Sequence, residues 1–112
     1  MNHKPDILES EETFQIIKEI EVNPQVTQRH LSQKLSISLG KINFLINALI
    51  DKGIIEAKNF KNAKNKLAYM YLLTPHGIKT KLELTQKFLL WKTQEYEKLK
   101  EELESLQRSL NG

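Results

Sequence analysis

Asn43 and Asn47 stand one helical turn apart in the stretch GKINFLIN, residues 40–47. A carboxamide offers a donor and an acceptor side by side, the pair that adenine presents in the major groove of duplex DNA. Lys41, in the same stretch, reaches guanine or a phosphate. Phe44 either lies against thymine methyls or packs beneath neighbouring elements. Gly40 has no side chain and lets a helix come close to its target. Further on, KNFKNAKNK at 58–66 holds four lysines and three asparagines and no acid. There Lys58, Lys61, Lys64 and Lys66, with Asn62 among them, suit phosphate oxygens. Gln28 and Arg29 open another helix, a place where side chains and free backbone amides meet phosphates. The plainer reading of all these residues is a solvated helix face and a soluble hairpin loop.

Charge distribution weighs against the plainer reading. The chain has 112 residues and a net charge of +3. Residues 1–26 carry two lysines and six acids; residues 27–81 carry ten Lys/Arg against Asp51 and Glu56; residues 82–112 carry five against six. A basic block between acidic and neutral ones points to a polyanionic partner.

Catalytic chemistry finds no footing. His3, His30 and His76 are scattered and there is no cysteine, so no metal site forms from HExxH or thiolate patterns. The Gly40–Lys41 pair is not a phosphate loop, because Leu35 stands where the first glycine belongs. No catalytic residue, metal or cofactor is expected. No apolar run approaches the roughly 18 residues of a membrane span, and the first residues lack the apolar core of a signal peptide. The expectation is a cytoplasmic protein with no membrane partner.

The elements that hold these residues follow from periodicity and punctuation. Asp6 or Ser10 caps a first helix whose apolar face holds Leu8, Phe14, Ile16, Ile17 and Ile20, and Pro24 ends it. Thr27 caps a short second helix, QRHLSQKL. A tight turn at Ser36–Ser38 follows, with Ser36 where glycine is common, and Ser38 caps the third helix, which stops at Gly53. Leu31, Leu35, Ile37, Ile42 and Leu45 have the spacing of two short helices crossing steeply, the helix-turn-helix, whose second helix can enter a major groove. On that helix Ile42, Leu45, Ile46 and Leu49 face inward, while Gly40, Asn43, Phe44 and Asn47 face out. Strands are predicted over 54–57 and 67–73, with 58–66 as the loop between them, the wing. Thr74 caps and Pro75 starts a fourth helix.

From Lys81 to Leu110 there is neither glycine nor proline, and Leu82, Leu89, Tyr96, Leu103 and Leu110 recur every seven residues. Leu99 and Leu106 fill the intervening seam positions, so the distal half reads as a two-helix coiled coil. Leu89, Tyr96, Leu99, Leu103, Leu106 and Leu110 are its dimerisation residues. The fold class is mainly α, a winged helix-turn-helix with a two-stranded β wing and a long C-terminal dimerisation helix. Residues 1–9 are expected to be flexible, 10–80 to form the DNA-binding domain, and 81–112 to form the dimerisation helix. The partners expected are duplex DNA with a palindromic site and a second copy of the chain. Two competitors stand: a winged helix that binds protein, and an architectural DNA binder without sequence preference.

Residues 31–78, in particular SISLGK, NKLAY and YLLTPHGI, closely resemble the small MarR-type winged-helix regulators called EPS-associated transcriptional regulators. The resemblance covers roughly residues 10–105. It implies a bacterial transcription factor associated with exopolysaccharide gene clusters and acting as a homodimer. It also implies that Ser38, Lys41, Asn43 and Asn47 lie on the recognition helix and residues 61–66 on the wing. Larger MarR proteins add an N-terminal dimerisation helix and a small-molecule pocket near the dimer interface. With about ten residues before its first helix, this chain is expected to have no small-molecule effector.

Overall fold

Four hydroxyl side chains start the four α-helices. Ser10 caps α1 (Glu11–Val22), accepting from the Thr13 amide at 3.4 Å, and Thr27 caps α2 (Gln28–Leu35), accepting from His30 at 3.0 Å. Ser38 caps α3 (Leu39–Asp51) through the Lys41 amide at 3.2 Å, and Thr74 caps α4 (Pro75–Asn111) through Gly77 at 2.9 Å. Each satisfies one of the amides that a helix start leaves unpaired. The computed structural model describes residues 7–112, so Asp6 and most of the expected flexible start lie outside the described residues. Within that start, Ile7–Glu9 form a turn of 3-10 helix, and Ile7 and Leu8 pack against the core.

Helices α1, α2 and α3 close around Ile16, Ile17, Ile20, Leu31, Ile42, Ile46 and Leu49, all fully buried. The α2–α3 corner passes through Ser36 in the left-handed region at φ 54°, a conformation that costs an L-residue about 1–2 kcal/mol. Two bonds hold it there. The Ile37 amide donates to the Ser32 carbonyl at 3.2 Å and the Ser32 hydroxyl to the Ile37 carbonyl at 2.5 Å. Ile37 is buried in the corner, as its spacing predicts.

Helix α3 ends in a Schellman turn. Gly53 sits at φ 72°, its amide donating to the Ile50 carbonyl at 2.9 Å and that of Ile54 to Leu49 at 3.0 Å. Strands β1 (Ile55–Lys61) and β2 (Leu67–Leu73) then pair antiparallel, from Ile55 opposite Leu73 to Lys61 opposite Leu67. The first strand is longer than the sequence suggests. Residues 58–61, expected in the loop, belong to β1, and the tip shrinks to residues 62–66. Pairing with the apolar-alternating second strand extends β1 through residues whose own composition reads as loop.

Helix α4 has 37 residues and runs unbroken across the boundary expected between 80 and 81. Its buried residues, Gly77, Thr80, Leu84 and Phe88, form one stripe at helical spacing. The Phe88 ring stacks on Phe14 of α1 at 4.9 Å and meets Trp91 edge-on at 5.2 Å. From Leu89 onward every residue is exposed, and the helix stretches the molecule to 70 × 35 × 26 Å.

The two helical glycines should respond oppositely to alanine. A Cβ at Gly77 would stand 2.0 Å from the Ile54 carbonyl oxygen, whereas one at Gly40 would meet nothing within 4 Å. Chemical denaturation of Gly77→Ala should show a loss of about 1–3 kcal/mol, the usual range for overpacking. Gly40→Ala should leave stability equal or higher.

Candidate nucleic-acid interface

On α3 the burial pattern follows the helical projection. Ile42, Leu45, Ile46 and Leu49 are buried, while Ser38, Gly40, Lys41, Asn43, Phe44 and Asn47 are exposed. Phe44 is 63% exposed, so it does not pack under the wing or the first helix. The open space around Gly40 has a consequence too. Among the described residues nothing requires a glycine there, so any need for one comes from what the helix approaches.

The exposed amides are not independent. Asn47 Nδ2 donates to Asn43 Oδ1 at 3.2 Å, Asn43 Nδ2 donates to Gln28 Oε1 at 3.2 Å, and Gln28 Nε2 donates to the Tyr71 hydroxyl at 3.1 Å. Gln28, read from the sequence as a phosphate contact at the start of α2, has its amide engaged with α3 on one side and β2 on the other. Arg29 beside it is exposed. Lys41 is ion-paired with Glu12 of α1, and Lys34 of α2 with Glu19 at 2.8 Å. The partnership of Lys41 with an acid from another helix was not foreseen.

The wing ribbon has two faces. Cross-strand neighbours share a face, so Ala57, Asn59 and Lys61 lie with Tyr71, Tyr69 and Leu67, and Glu56, Lys58 and Phe60 with Leu72, Met70 and Ala68. The first face adjoins α3: Asn43, Asn47, Tyr69 and Tyr71 line one concavity of about 320 Å³. Lys58 lies on the other face, 4.0 Å from Glu56, opposite to the face that carries Lys61.

At the tip the asparagines build the turn. The Asn62 side-chain oxygen accepts from the Lys64 amide at 3.0 Å and the Lys66 amide at 3.1 Å. The Asn65 amide donates to the Asn62 carbonyl at 2.8 Å, and Asn65 takes the left-handed conformation at φ 59° that asparagine tolerates. Asn62, grouped by sequence with the lysines, thus uses its side-chain oxygen within the tip. Lys61, Lys64 and Lys66 are exposed, and among the described residues no acid pairs with them. Among the described residues, too, no cluster of metal-ligating side chains occurs and no helix is long and apolar enough to cross a membrane.

Sequence reasoning missed three participants: Glu12, Tyr69 and Tyr71. The alternation of Leu67, Tyr69 and Tyr71 marks a strand but not which helix its face meets. Nor does spacing along α1 reveal that Glu12 lies beside the third helix.

Residues 13–56 match the family described as winged helix-turn-helix DNA-binding. That span runs from α1 to the first residues of β1, and the fold is a winged helix-turn-helix. The chain is similar in fold to a PadR-like transcriptional regulator from Bacillus cereus, with 22% identity and a TM-score of 0.71 over 78% of this chain and 89% of that one. It is also similar to a mutant of MepR from S. aureus, with 21% identity and a TM-score of 0.61 over 90% of this chain and 80% of that one. A MarR mutant from E. coli, solved in complex with operator DNA, shares 23% identity and a TM-score of 0.55 over 69% of this chain and 54% of that one. No curated protein sequence matches the chain.

The role of Asn62 can be tested locally. Asn62→Ala should remove the hydrogen-exchange protection of the Lys64 and Lys66 amides, leaving that of α1 to α3 unchanged. Retained protection at both amides would show that backbone pairing alone closes the tip.

Proposed function

We propose that the chain binds duplex DNA at specific sites as a homodimer and regulates transcription. The observation that carries this is the adjacency of two exposed surfaces. The outward face of α3, with Asn43 and Asn47, borders the same concavity as the Tyr69 face of the wing, on which Lys61 also lies. A helix of 13 residues, about 20 Å long, fits a major groove while the wing follows the neighbouring phosphates or minor groove. Asn43 and Asn47 are the base readers in this arrangement and Phe44 reaches thymine methyls. The wing lysines and Arg29 take phosphates. Lys41 exchanges Glu12 for the nucleic acid, a small sacrifice because an exposed ion pair contributes only about 0–1 kcal/mol. The exopolysaccharide association rests on the resemblance of residues 31–78 alone.

Dimerisation rests on the distal part of α4. Leu89, Tyr96, Leu99, Leu103, Leu106 and Leu110 form a heptad stripe, each more than half exposed. Burying a leucine contributes about 1.5–3 kcal/mol, and a second copy of the helix is the simplest cover. Twofold symmetry would then present two reading heads to a palindromic site. In a parallel pair Glu95 faces Lys100 of the second copy.

Two measurements test this reading. Affinity of the purified protein for duplex DNA should fall steeply with salt, log K losing about 0.9 per neutralised phosphate for each decade of salt. The triple substitution of Lys61, Lys64 and Lys66 by Ala should flatten that slope and weaken all sequences alike; absence of duplex binding at low salt would end the proposal. For the stripe, light scattering should find a dimer that Leu99→Glu with Leu103→Glu converts to monomer without unfolding the winged part. A wild-type chain that stays monomeric at micromolar concentration would remove the dimer but not the DNA interface.

A further inference from the structure

The carboxamides of Asn47, Asn43 and Gln28 form a chain that ends on the Tyr71 hydroxyl. In such a chain no member turns over alone. Flipping the Asn43 amide by itself would set its oxygen against the Gln28 oxygen and its NH2 against the Asn47 NH2. All three amides must reverse together, and that requires an end group able both to accept and to donate. A phenolic hydroxyl is such a group. Tyr71 is also fixed in place: it is 6% exposed, and its own amide donates to the Pro24 carbonyl at 2.8 Å. The core therefore anchors one end of the chain while the other end, Asn47, lies exposed on α3.

Polarity along the chain determines what α3 displays. With Asn47 donating inward, its carbonyl oxygen and one N–H remain free, a complete pair for the N6 and N7 of adenine. Asn43 keeps its second N–H and one lone pair of its oxygen. Reversal would exchange the donor and acceptor positions of both residues at once.

We propose that Asn43 and Asn47 read bases as one unit, their amide orientations coupled to each other and their inner end held by Gln28 and the Tyr71 hydroxyl. A buried tyrosine on the wing strand then acts as a positioning residue for base preference without touching a base. This rests on the DNA-binding reading above and adds to it a link from the wing to the recognition helix.

The test uses the full-length chain and the duplex that the wild-type protein selects from a random pool, with single base-pair variants of that duplex. Tyr71→Phe removes only the hydroxyl, and Gln28→Met removes the amide at similar length. Each should lower discrimination at the base pairs read by Asn43 and Asn47 by roughly three- to tenfold, the effect of losing one neutral hydrogen bond. Discrimination elsewhere and low-salt affinity for unrelated duplex should persist. Wild-type discrimination in both variants overturns the proposal, as does uniform weakening on every duplex, which would mark the two residues as merely structural. Should Tyr71→Phe lose cooperative unfolding, Gln28→Met, altered at a half-buried position, decides alone. A wild-type chain that binds no duplex removes the DNA reading itself, a result distinct from intact binding with unchanged preferences.

Discussion

The carbonyl of Ile54 is the point on which the arrangement of helix, wing and tail depends. It accepts from the Thr74 amide at 3.0 Å and lies where Gly77 alone leaves room for it. The Ile54 amide, on the other side, closes the end of α3 through Leu49. One peptide neighbourhood thus fixes the end of the third helix, the base of the ribbon and the start of α4. Thr74 adds a second tie, capping α4 while its hydroxyl donates to the carbonyls of Gly53 and Ile54. Because the ribbon is held at its base by these bonds and by Tyr71 on Pro24, its tip can be small and hydrophilic without losing its direction.

Electrostatics divide the surface in a way that the fold, not the composition, determines. Helix α1 supplies acids to lysines from three other helices: Glu12 to Lys41, Glu19 to Lys34, and Glu21 to Lys81. These are exposed pairs, each of small effect on stability. Their larger effect is on where positive charge is left over. Part of it is left on the wing, where Lys61, Lys64 and Lys66 have no acid among the described residues. The basic block seen in the sequence is therefore partly neutralised at the helices and concentrated at the ribbon.

Most of the architecture is legible in the sequence because its signals are local. Ser10, Thr27, Ser38 and Thr74 announce the helix starts through their own hydroxyls, and Ile42, Leu45, Ile46 and Leu49 announce a buried face by spacing. What is not legible depends on partners far away in the chain. Residues 58–61 look like loop because lysine and asparagine are poor strand formers, yet pairing with 67–70 makes them strand. The alternation that puts Lys58 on the far face is a consequence of that same extension. Asn62 looks like a contact residue beside lysines, but in the closed tip its side-chain oxygen builds the turn. Likewise the amide chain joins Gln28, Asn43 and Tyr71 across three elements, and no periodicity within one element encodes it.

In the proposed complex, affinity and sequence preference would reside on different elements for a physical reason. Charge attracts every duplex alike, and three lysines with no acid partner among the described residues, Lys61, Lys64 and Lys66, sit on the wing, where contacts to phosphate carry no base information. The outward face of α3 carries a single cation, Lys41, and otherwise presents amides, a glycine and an aromatic ring. Such a face gains little from a wrong duplex, because an amide that meets no complementary edge loses its water without replacement. Coupling those amides so that neither flips alone raises this contrast, since independently flipping carboxamides could accommodate more patterns of donor and acceptor. A rigid, weakly charged helix beside a strongly charged ribbon is thus a combination in which attraction and discrimination do not compete.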